Sequence, residues 1–135
     1  MIKFYLSFKG NCQEVIEFYK DTFSAEILSV VKYGDFLSES KIKNDVKLKE
    51  MIFHAEMKIS GTTFILNDYL EEMVIGNNFS ILLQLNSKNQ VRECYNKLKK
   101  DAIINIDITP TEFSELYFNV QDKFGINWVV MVGKN

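Results

Sequence analysis

The sequence repeats its own pattern of helix and strands once, and this repeat limits the fold more than any other feature. Asn11 and Ser87 each precede an amphipathic helical pattern, and they are 76 residues apart. Tyr19 and Tyr95, inside those two patterns, have the same spacing. Self-similarity at a fixed spacing indicates that one supersecondary unit is built twice. The sequence therefore predicts two copies of one unit in series.

Each copy has the pattern of a strand, a helix and three further strands. Alternation of apolar and polar residues at 2–8 and at 51–59 predicts two strands of the first copy, because successive side chains on a strand point to opposite faces. The helix between them begins at Asn11, which forms a capping-box pattern with Glu14, and Ser87 forms the same pattern with Gln90 in the second copy. Such units predict an α+β fold in which two paired β-α-β-β-β modules form an open, cup-shaped mixed sheet. We expect one domain over 1–135, with modules of about 1–75 and about 76–135.

The two copies differ in length. The turn glycines Gly61 and Gly125 are 64 residues apart instead of 76, so the first copy carries about a dozen extra residues. The stretch from Gly34 to Glu50 has no period and accommodates them. Long aperiodic loops in compact domains are often functional. We therefore expect a mobile lid there, whose Phe36 and Leu37 close onto a ligand.

Composition narrows the class of partner. A formal net charge of -2 argues against a nucleic-acid partner, which would require a basic stripe facing the phosphates. No apolar run is long enough for a membrane span, and the start of the chain lacks a signal-peptide pattern. Cys12 and Cys94 both lie in helical patterns, where a reduced cysteine packs as a small hydrophobe. These features predict a cytoplasmic protein without nucleic-acid or membrane partners.

His54, the single histidine of the chain, lies two residues before Glu56 on the predicted third strand. Both side chains point away from the apolar side of that strand, which carries Met51, Phe53, Ala55, Met57 and Ile59. If the apolar side packs under a helix, His54 and Glu56 line the cup. His54 would then bind a ligand or act as a general base, tuned by Glu56 or Asp68. A solvated strand face and a dimer interface are the structural alternatives.

Other candidates for a ligand-binding role come from strand alternation. On the first strand of each copy, Tyr5, Ser7 and Gln84 share one side, and Trp128 lies on the closing strand, where a core position is the alternative. At the offset of 64, His54 corresponds to Phe118. Either the second half of the cup is apolar or its strand register differs. A half-polar, half-aromatic pocket suits a small organic molecule with one polar end.

Three motifs, YLSFKGNCQEVIEFYKDTFSAEI, HAEMKISGTTFILND and VQDKFGINWVV, resemble the PhnB-like branch of the vicinal oxygen chelate superfamily. This superfamily is also known for glyoxalases, bleomycin resistance and dioxygenases. With the repeat, the motifs cover nearly the whole chain. The resemblance implies a glyoxalase-like fold with a ligand cavity inside the cup, usually in a homodimer. It implies no single reaction, because members include isomerases, dioxygenases and proteins that only sequester a drug.

The resemblance also implies a metal, held by His or Gln on the first strand of each module and by Glu on the last. Here those strands offer Gln84, Asn67 and Asp68 and no such Glu. One amide and one displaced carboxylate would hold a divalent ion weakly. We therefore predict no metal and no other cofactor. The leading hypothesis is a homodimeric protein that binds a small organic molecule. The alternatives are a metal- or acid/base-dependent enzyme using His54 and Glu56, and a dimer with a filled cup that serves partner binding.

Overall fold

The computed structural model describes residues 1–36 and 45–134, and it divides the chain into two compact units, Met1–Met73 and Val74–Asn135. Each unit has the predicted order of one strand, one helix and three further strands. The predicted α+β fold of two β-α-β-β-β modules is confirmed. No helix among the described residues is long and apolar enough to cross a membrane.

Unit 1 contains a four-stranded mixed sheet. Its elements are β1 (Phe4–Phe8), α1 (Cys12–Phe23), β2 (Glu26–Lys32), a 3-10 turn (Tyr33–Asp35), α2 (Val46–Glu50), β3 (Ile52–Ile59) and β4 (Thr62–Asp68). The strand order is β1-β4-β3-β2, with β1 parallel to β4 and the other pairs antiparallel. Two residues with positive φ, Ser60 and Gly61, make the tight turn between β3 and β4 that the sequence predicts.

Unit 2 repeats this topology. Its elements are β5 (Ile81–Leu85), α3 (Lys88–Leu98), β6 (Ile103–Thr111), β7 (Ser114–Gln121) and β8 (Asn127–Val132). The strand order is β5-β8-β7-β6, again with one parallel pair, β5 and β8. The N-caps of α1 and α3 are Asn11 and Ser87, which confirms the spacing of 76.

The core of each unit lies between its long helix and one face of its sheet. In unit 1, α1 packs on β3 and β4, and in unit 2, α3 packs on β5, β7 and β8. The residues under α1 alternate along the strands with polar ones, as the period of two predicts. Fully burying a large apolar side chain stabilises the fold by roughly 1.5–3 kcal/mol. The apolar residues under each helix therefore determine which side of each strand points inward. The opposite, helix-free face of each sheet carries polar residues together with apolar ones such as Ile65 and Met131.

The two long helices, α1 and α3, begin differently. At α3 the predicted cap forms, because Ser87 Oγ accepts from the Gln90 backbone N–H at 3.2 Å. The reciprocal bond of the capping box is displaced by one residue, since Gln90 Oε1 accepts at 2.8 Å from the backbone N–H of Asn86, the residue before the cap. At α1 the predicted capping box is wrong, since the Asn11 side chain makes no capping hydrogen bond. The carboxylate of Asp68 instead accepts from the Cys12 backbone N–H at 2.9 Å. A residue 56 positions away therefore caps α1.

A β-bulge changes the predicted faces of β3. Val31 pairs with His54 and Lys32 pairs with Ile52, so Phe53 is an extra residue on β3. Ile52 is fully buried, whereas Phe53 is 42% exposed. The assignment of Phe53 to the apolar side is therefore wrong. The bulge places Phe53 on the same side as His54, and the alternation resumes correctly from Ala55 onward.

The strand register of the two units differs by one residue. Met57 pairs with Phe64, and Val120 pairs with Trp128. Phe64 and Trp128 are equivalent, because each lies beside the first residue of its unit's first strand. Along β3 and β7 the offset is therefore 63 (120 minus 57) instead of 64. A two-residue turn in unit 1 against the longer turn at 122–126 in unit 2 causes the difference.

The stretch 34–50, predicted to be aperiodic, contains regular structure at both ends. It begins within the 3-10 turn and ends in α2, whose N-cap Asp45 accepts from the Leu48 backbone N–H at 2.9 Å. Phe36 lies against Phe53, with ring centroids 4.3 Å apart. Leu37, the other residue of the predicted lid, falls within 37–44, outside the described residues.

Candidate functional site

The helix-free face of the unit 1 sheet brings together most of the candidates from unit 1. Tyr5 and Glu56 lie in one row across the sheet, on either side of Ile65. Ser7 pairs with Asn67 in the next row. Ala55 pairs with Leu66, so the residues next to them, His54 and Asn67, are neighbours on this face. We call the set Tyr5, Ser7, His54, Glu56 and Asn67 the polar face.

His54 and Glu56 are in direct contact. His54 Nε2 lies 3.2 Å from Glu56 Oε1, and about a third of each side chain is exposed, 35% and 31%. An ionised carboxylate can only accept, so the ring donates from Nε2. In the neutral ring, Nδ1 is then an acceptor. The pair can therefore hold a ligand donor or take up a proton from it.

Ser7 and Asn67 form a second polar pair. Ser7 Oγ donates to Asn67 Oδ1 at 2.7 Å. Asn67 is 9% exposed, so this hydrogen bond satisfies a nearly buried amide oxygen. The serine oxygen can still accept and the amide nitrogen can still donate to a ligand. Tyr5, at the edge of the same face, is 59% exposed. The polar face thus contains four predicted residues of unit 1, Tyr5, Ser7, His54 and Glu56, together with Asn67, which was not predicted for the site.

Three aromatic rings lie where the bulge turns β3. The ring centroids of Tyr33 and Phe53 are 5.3 Å apart in an edge contact, and those of Tyr33 and Phe36 are 6.1 Å apart. Phe36 and Phe53 remain 51% and 42% exposed. We call Tyr33, Phe36 and Phe53 the aromatic cluster. Exposed aromatic surface beside polar groups is typical of a binding site.

Tyr33 ties this cluster to the sheet. Its hydroxyl donates to the Asp68 backbone oxygen at 3.2 Å, and its backbone N–H donates to the Met51 carbonyl at 2.9 Å. Burial, assisted by the charges of Asp68 and Tyr5, raises the pKa of Tyr33. The phenol therefore stays protonated and keeps its role as a donor.

Asp68, predicted to tune His54, lies on the other side of the sheet. It is 1% exposed, and its two carboxylate oxygens accept from the backbone N–H groups of Cys12 at 2.9 Å and Ile52 at 2.8 Å. Both oxygens are used in holding α1 and the start of β3. The structure therefore gives Asp68 a positioning role, beside the bulge that carries Phe53 and His54.

The three candidates of unit 2 are not brought together on one face. Trp128 and Phe118 are both fully buried, and the Trp128 indole Nε1 donates to Asp122 Oδ2 at 2.9 Å. Gln84 is exposed on the helix-free face, in a row with Met131 and Tyr117. With the offset of 63, the equivalents of His54 and Glu56 are Tyr117 and Asn119. The correspondence of His54 with Phe118 that the offset of 64 gave therefore reflects a difference of strand register. The ligand-binding role of Gln84 stays a prediction.

Sequence reasoning did not select Asn67, Tyr33 or Phe53 for the site. The alternation of β4 with Ser7 on β1 contained the signal for Asn67. The position of Phe53 could be predicted only from the bulge, which depends on how β2 pairs with β3. Tyr33 follows β2 directly and carried no local signal of its contact with the end of β4.

The donors present do not fit the superfamily's metal site. The described residues contain no group of three or more His, Cys, Asp or Glu side chains placed to hold one ion. On the helix-free faces, the first and last strands offer Ser7 and Asn67 in unit 1, and Gln84 and Met131 in unit 2. Neutral oxygens and a thioether are weak donors for a hard divalent ion. We therefore derive no chemistry through a metal.

Each unit also contains a groove. A groove of about 290 Å³ in unit 1 is lined by Lys9, Met51 and Tyr69 among others, and one of about 600 Å³ in unit 2 lies along residues 110–115. Neither is lined by a predicted site residue.

Both cysteines are buried free thiols, as the helical pattern predicts. Burial, assisted by the Asp68 charge, raises the pKa of Cys12, and burial raises that of Cys94 to about 12. Because the thiolate is the reactive form, these cysteines act as packing residues.

Known proteins match this chain over nearly its whole length. A family model described as 3-demethylubiquinone-9 3-methyltransferase matches residues 1–131. Protein YjdN of Escherichia coli strain K12 is 25% identical over 137 residues, covering 96% of this chain and 93% of YjdN.

Solved structures share the fold at low identity. A putative 3-demethylubiquinone-9 3-methyltransferase, the PhnB protein from Bacillus cereus, has a TM-score of 0.81 at 22% identity, covering 98% of each chain. FosX, a fosfomycin resistance protein from Listeria monocytogenes complexed with Mn(II) and sulfate, has a TM-score of 0.68 at 12% identity, covering 99% of this chain and 92% of FosX. At these identities the similarity supports the fold alone.

Proposed function

The chain belongs to the 3-demethylubiquinone-9 3-methyltransferase family, a PhnB-like branch of the vicinal oxygen chelate superfamily, and from this premise we propose that it binds a small organic molecule on the polar face of unit 1. The observation that carries the proposal is the hydrogen-bonded pair of His54 and Glu56 beside Ser7 and Asn67. Several polar groups with spare hydrogen-bonding capacity, converging next to exposed aromatic rings, favour recognition of a small molecule.

The reaction in the family's description does not follow from these residues. A nucleotide-containing methyl donor is commonly held by a Gly-rich loop at the N-terminus of a helix. In this chain the N-terminus of α1 is already occupied by the Asp68 carboxylate. The proposal is therefore binding, and transfer of a methyl group is not part of it.

The alternative of an enzyme remains testable with the same residues. A histidine oriented by a carboxylate has the arrangement of a general base. The comparisons favour neither this alternative nor a protein that serves partner binding. Turnover of a bound molecule that stops in His54→Ala would favour the enzyme, whereas binding without turnover supports the proposal.

The proposal can be tested by a fragment screen followed by NMR. We expect bound fragments to shift the signals of His54 and Ser7, and we expect His54→Ala and Glu56→Ala to weaken binding roughly tenfold, the equivalent of about 1.4 kcal/mol. Lys58→Ala, an exposed position on the same strand, serves as the control and should bind like the parent. Equal binding by the parent and both site variants would contradict the proposal.

We also propose that the protein is a cytoplasmic homodimer. Sheet edges with unpaired backbone groups are a liability for a monomer, and pairing two copies across a two-fold axis would cover them. Light scattering at micromolar concentration should give twice the chain mass of 15.8 kDa. A monomer there would refute the dimer without affecting the binding proposal.

A further inference from the structure

We propose that the ligand of the polar face is a planar aromatic molecule carrying a hydrogen-bond donor, most favourably a protonated amine. This inference rests on the proposed function and names the chemical class that the site would take. Two independent features carry it, namely the exposed aromatic cluster and the partly shielded Glu56 carboxylate beside it.

The aromatic cluster provides a stacking surface. Phe36 and Phe53 have ring centroids 4.3 Å apart and Tyr33 lies edge-on to Phe53, so the three rings fill the space between one another. Their outer surfaces are nevertheless exposed, by 51% for Phe36 and 42% for Phe53. A flat ring lying on this surface gains offset or edge contacts that a saturated ring of similar size lacks.

The bulge brings this surface next to the polar pair. Phe53 and His54 are adjacent in sequence and, because Phe53 is the extra residue opposite Val31 and Lys32, both point to the helix-free side. Without the bulge, Phe53 would point toward α1. A ligand can therefore lie over Phe53 with its polar end directed at His54 and Glu56.

The charged group of the polar face is an acceptor. Glu56 uses Oε1 for the contact with His54, and its second oxygen can accept from a ligand. The Ser7 oxygen also retains acceptor capacity, whereas the Asn67 amide nitrogen is a neutral donor. Because a hydrogen bond to an ionised acceptor is about twice as strong as one between neutral groups, Glu56 favours a ligand donor over another acceptor.

The charge of Glu56 also favours a ligand that carries a protonated amine. Glu56 gives the polar face a carboxylate that is about two-thirds shielded from solvent, which strengthens its attraction for a cation. Lys58, two residues from Glu56 on the same side of β3, is exposed, so solvent and salt screen its charge more than that of Glu56. A protonated amine would thus be attracted, whereas a ligand carboxylate would be repelled by Glu56. An amine near the rings also gains a cation–π contribution.

Three probes of similar size test the proposal, namely benzylamine, cyclohexylmethylamine and benzoate. Each is titrated into the full-length protein at neutral pH, and dissociation constants are taken from shifts of the His54, Ser7 and Phe53 signals. We expect benzylamine to bind roughly threefold to tenfold more tightly than cyclohexylmethylamine, in line with the usual gain from aromatic contacts, and more tightly than benzoate. Phe53→Leu should remove the preference for the aromatic ring and keep that for the amine. Glu56→Gln should do the reverse.

The outcomes separate this inference from the proposed function. Binding of all three probes on the polar face without preference overturns the inference and leaves the proposed function standing. Preference for benzoate also overturns it. If none of the probes shifts these signals, the inference is refuted, and the proposed function falls with it only if the wider fragment screen finds no ligand on this face. A benzylamine preference that survives in Phe53→Leu and in Phe36→Leu would equally refute stacking on the cluster.

Discussion

Replacing Asp68 by alanine should destabilise unit 1 far more than the loss of an ordinary helix cap. The Asp68 carboxylate is 1% exposed and accepts from the backbone N–H groups of Cys12 and Ile52 at 2.9 Å and 2.8 Å. Asp68→Ala leaves both buried donors without an acceptor. A hydrogen bond to a charged group contributes about 1.5–3 kcal/mol, and relief of the buried charge offsets part of the loss. We expect a decrease of about 3–5 kcal/mol in the free energy of unfolding.

The second helix offers a matched control. Ser87 caps α3 through one neutral, exposed hydrogen bond of 3.2 Å to the Gln90 backbone N–H. Substituting such a cap by alanine costs about 1 kcal/mol. Ser87→Ala therefore reports the cost of losing a cap alone, and the excess in Asp68→Ala reports the link from α1 to the start of β3. Asp68→Asn keeps one acceptor oxygen and should fall between the two.

Urea unfolding followed by far-UV circular dichroism measures these differences. Fluorescence is less suitable, because the single tryptophan, Trp128, reports on unit 2. Hydrogen exchange adds a local readout, in which the amides of Cys12 and Ile52 should lose protection in Asp68→Ala. If Asp68→Ala and Ser87→Ala differ by less than about 1 kcal/mol, the two hydrogen bonds do not carry the weight assigned to them.

Two further predictions concern unit 2. Phe118→His should lower the free energy of unfolding by about 3–5 kcal/mol, because Phe118 is fully buried and packs edge-on against Tyr95. Tyr117→His should lower it by about 1 kcal/mol or less. Equal losses in urea unfolding would contradict the strand register that makes Tyr117 the equivalent of His54. Cys94, whose pKa is raised from 9.0 to about 12, stays protonated in the folded state, so its contribution to stability is present below pH 9 and is lost as pH rises toward 12. Urea unfolding at several pH values should therefore show a flatter alkaline decline in Cys94→Ala than in the parent, and an unchanged decline would refute the shift.

Much of the fold could be predicted because its signals are local. Apolar alternation identified the strands, helical spacing identified α1 and α3, and Ser87 caps α3 as its pattern with Gln90 indicates. The repeat then fixed the topology, since each signal recurs at the expected spacing. The same alternation placed Tyr5 and Ser7 on the helix-free face, with His54 and Glu56.

The remaining features depend on contacts between residues distant in sequence. Asn11 matches a cap pattern, yet Asp68 takes its place from the end of β4, and no local rule compares the two. The bulge at Phe53 arises from the pairing of β2 with β3. A single extra residue reverses the face of every residue before it, so a period of two cannot reveal where the reversal lies.

Turn length explains why the two units, alike in topology, carry different chemistry on their helix-free faces. In unit 2 the longer turn is organised by Asp122, whose Oδ1 accepts from the backbone N–H groups of Phe124 and Ile126 at 2.9 Å and 3.0 Å. The shift of one residue brings Tyr117 and Asn119 to the positions that His54 and Glu56 hold in unit 1. Neither residue carries a charge at neutral pH. Since recognition of an amine requires a partly shielded carboxylate, we place the charged end of the ligand on unit 1, and equal weakening of benzylamine binding by Glu56→Gln and by Asn119→Ala would contradict that assignment.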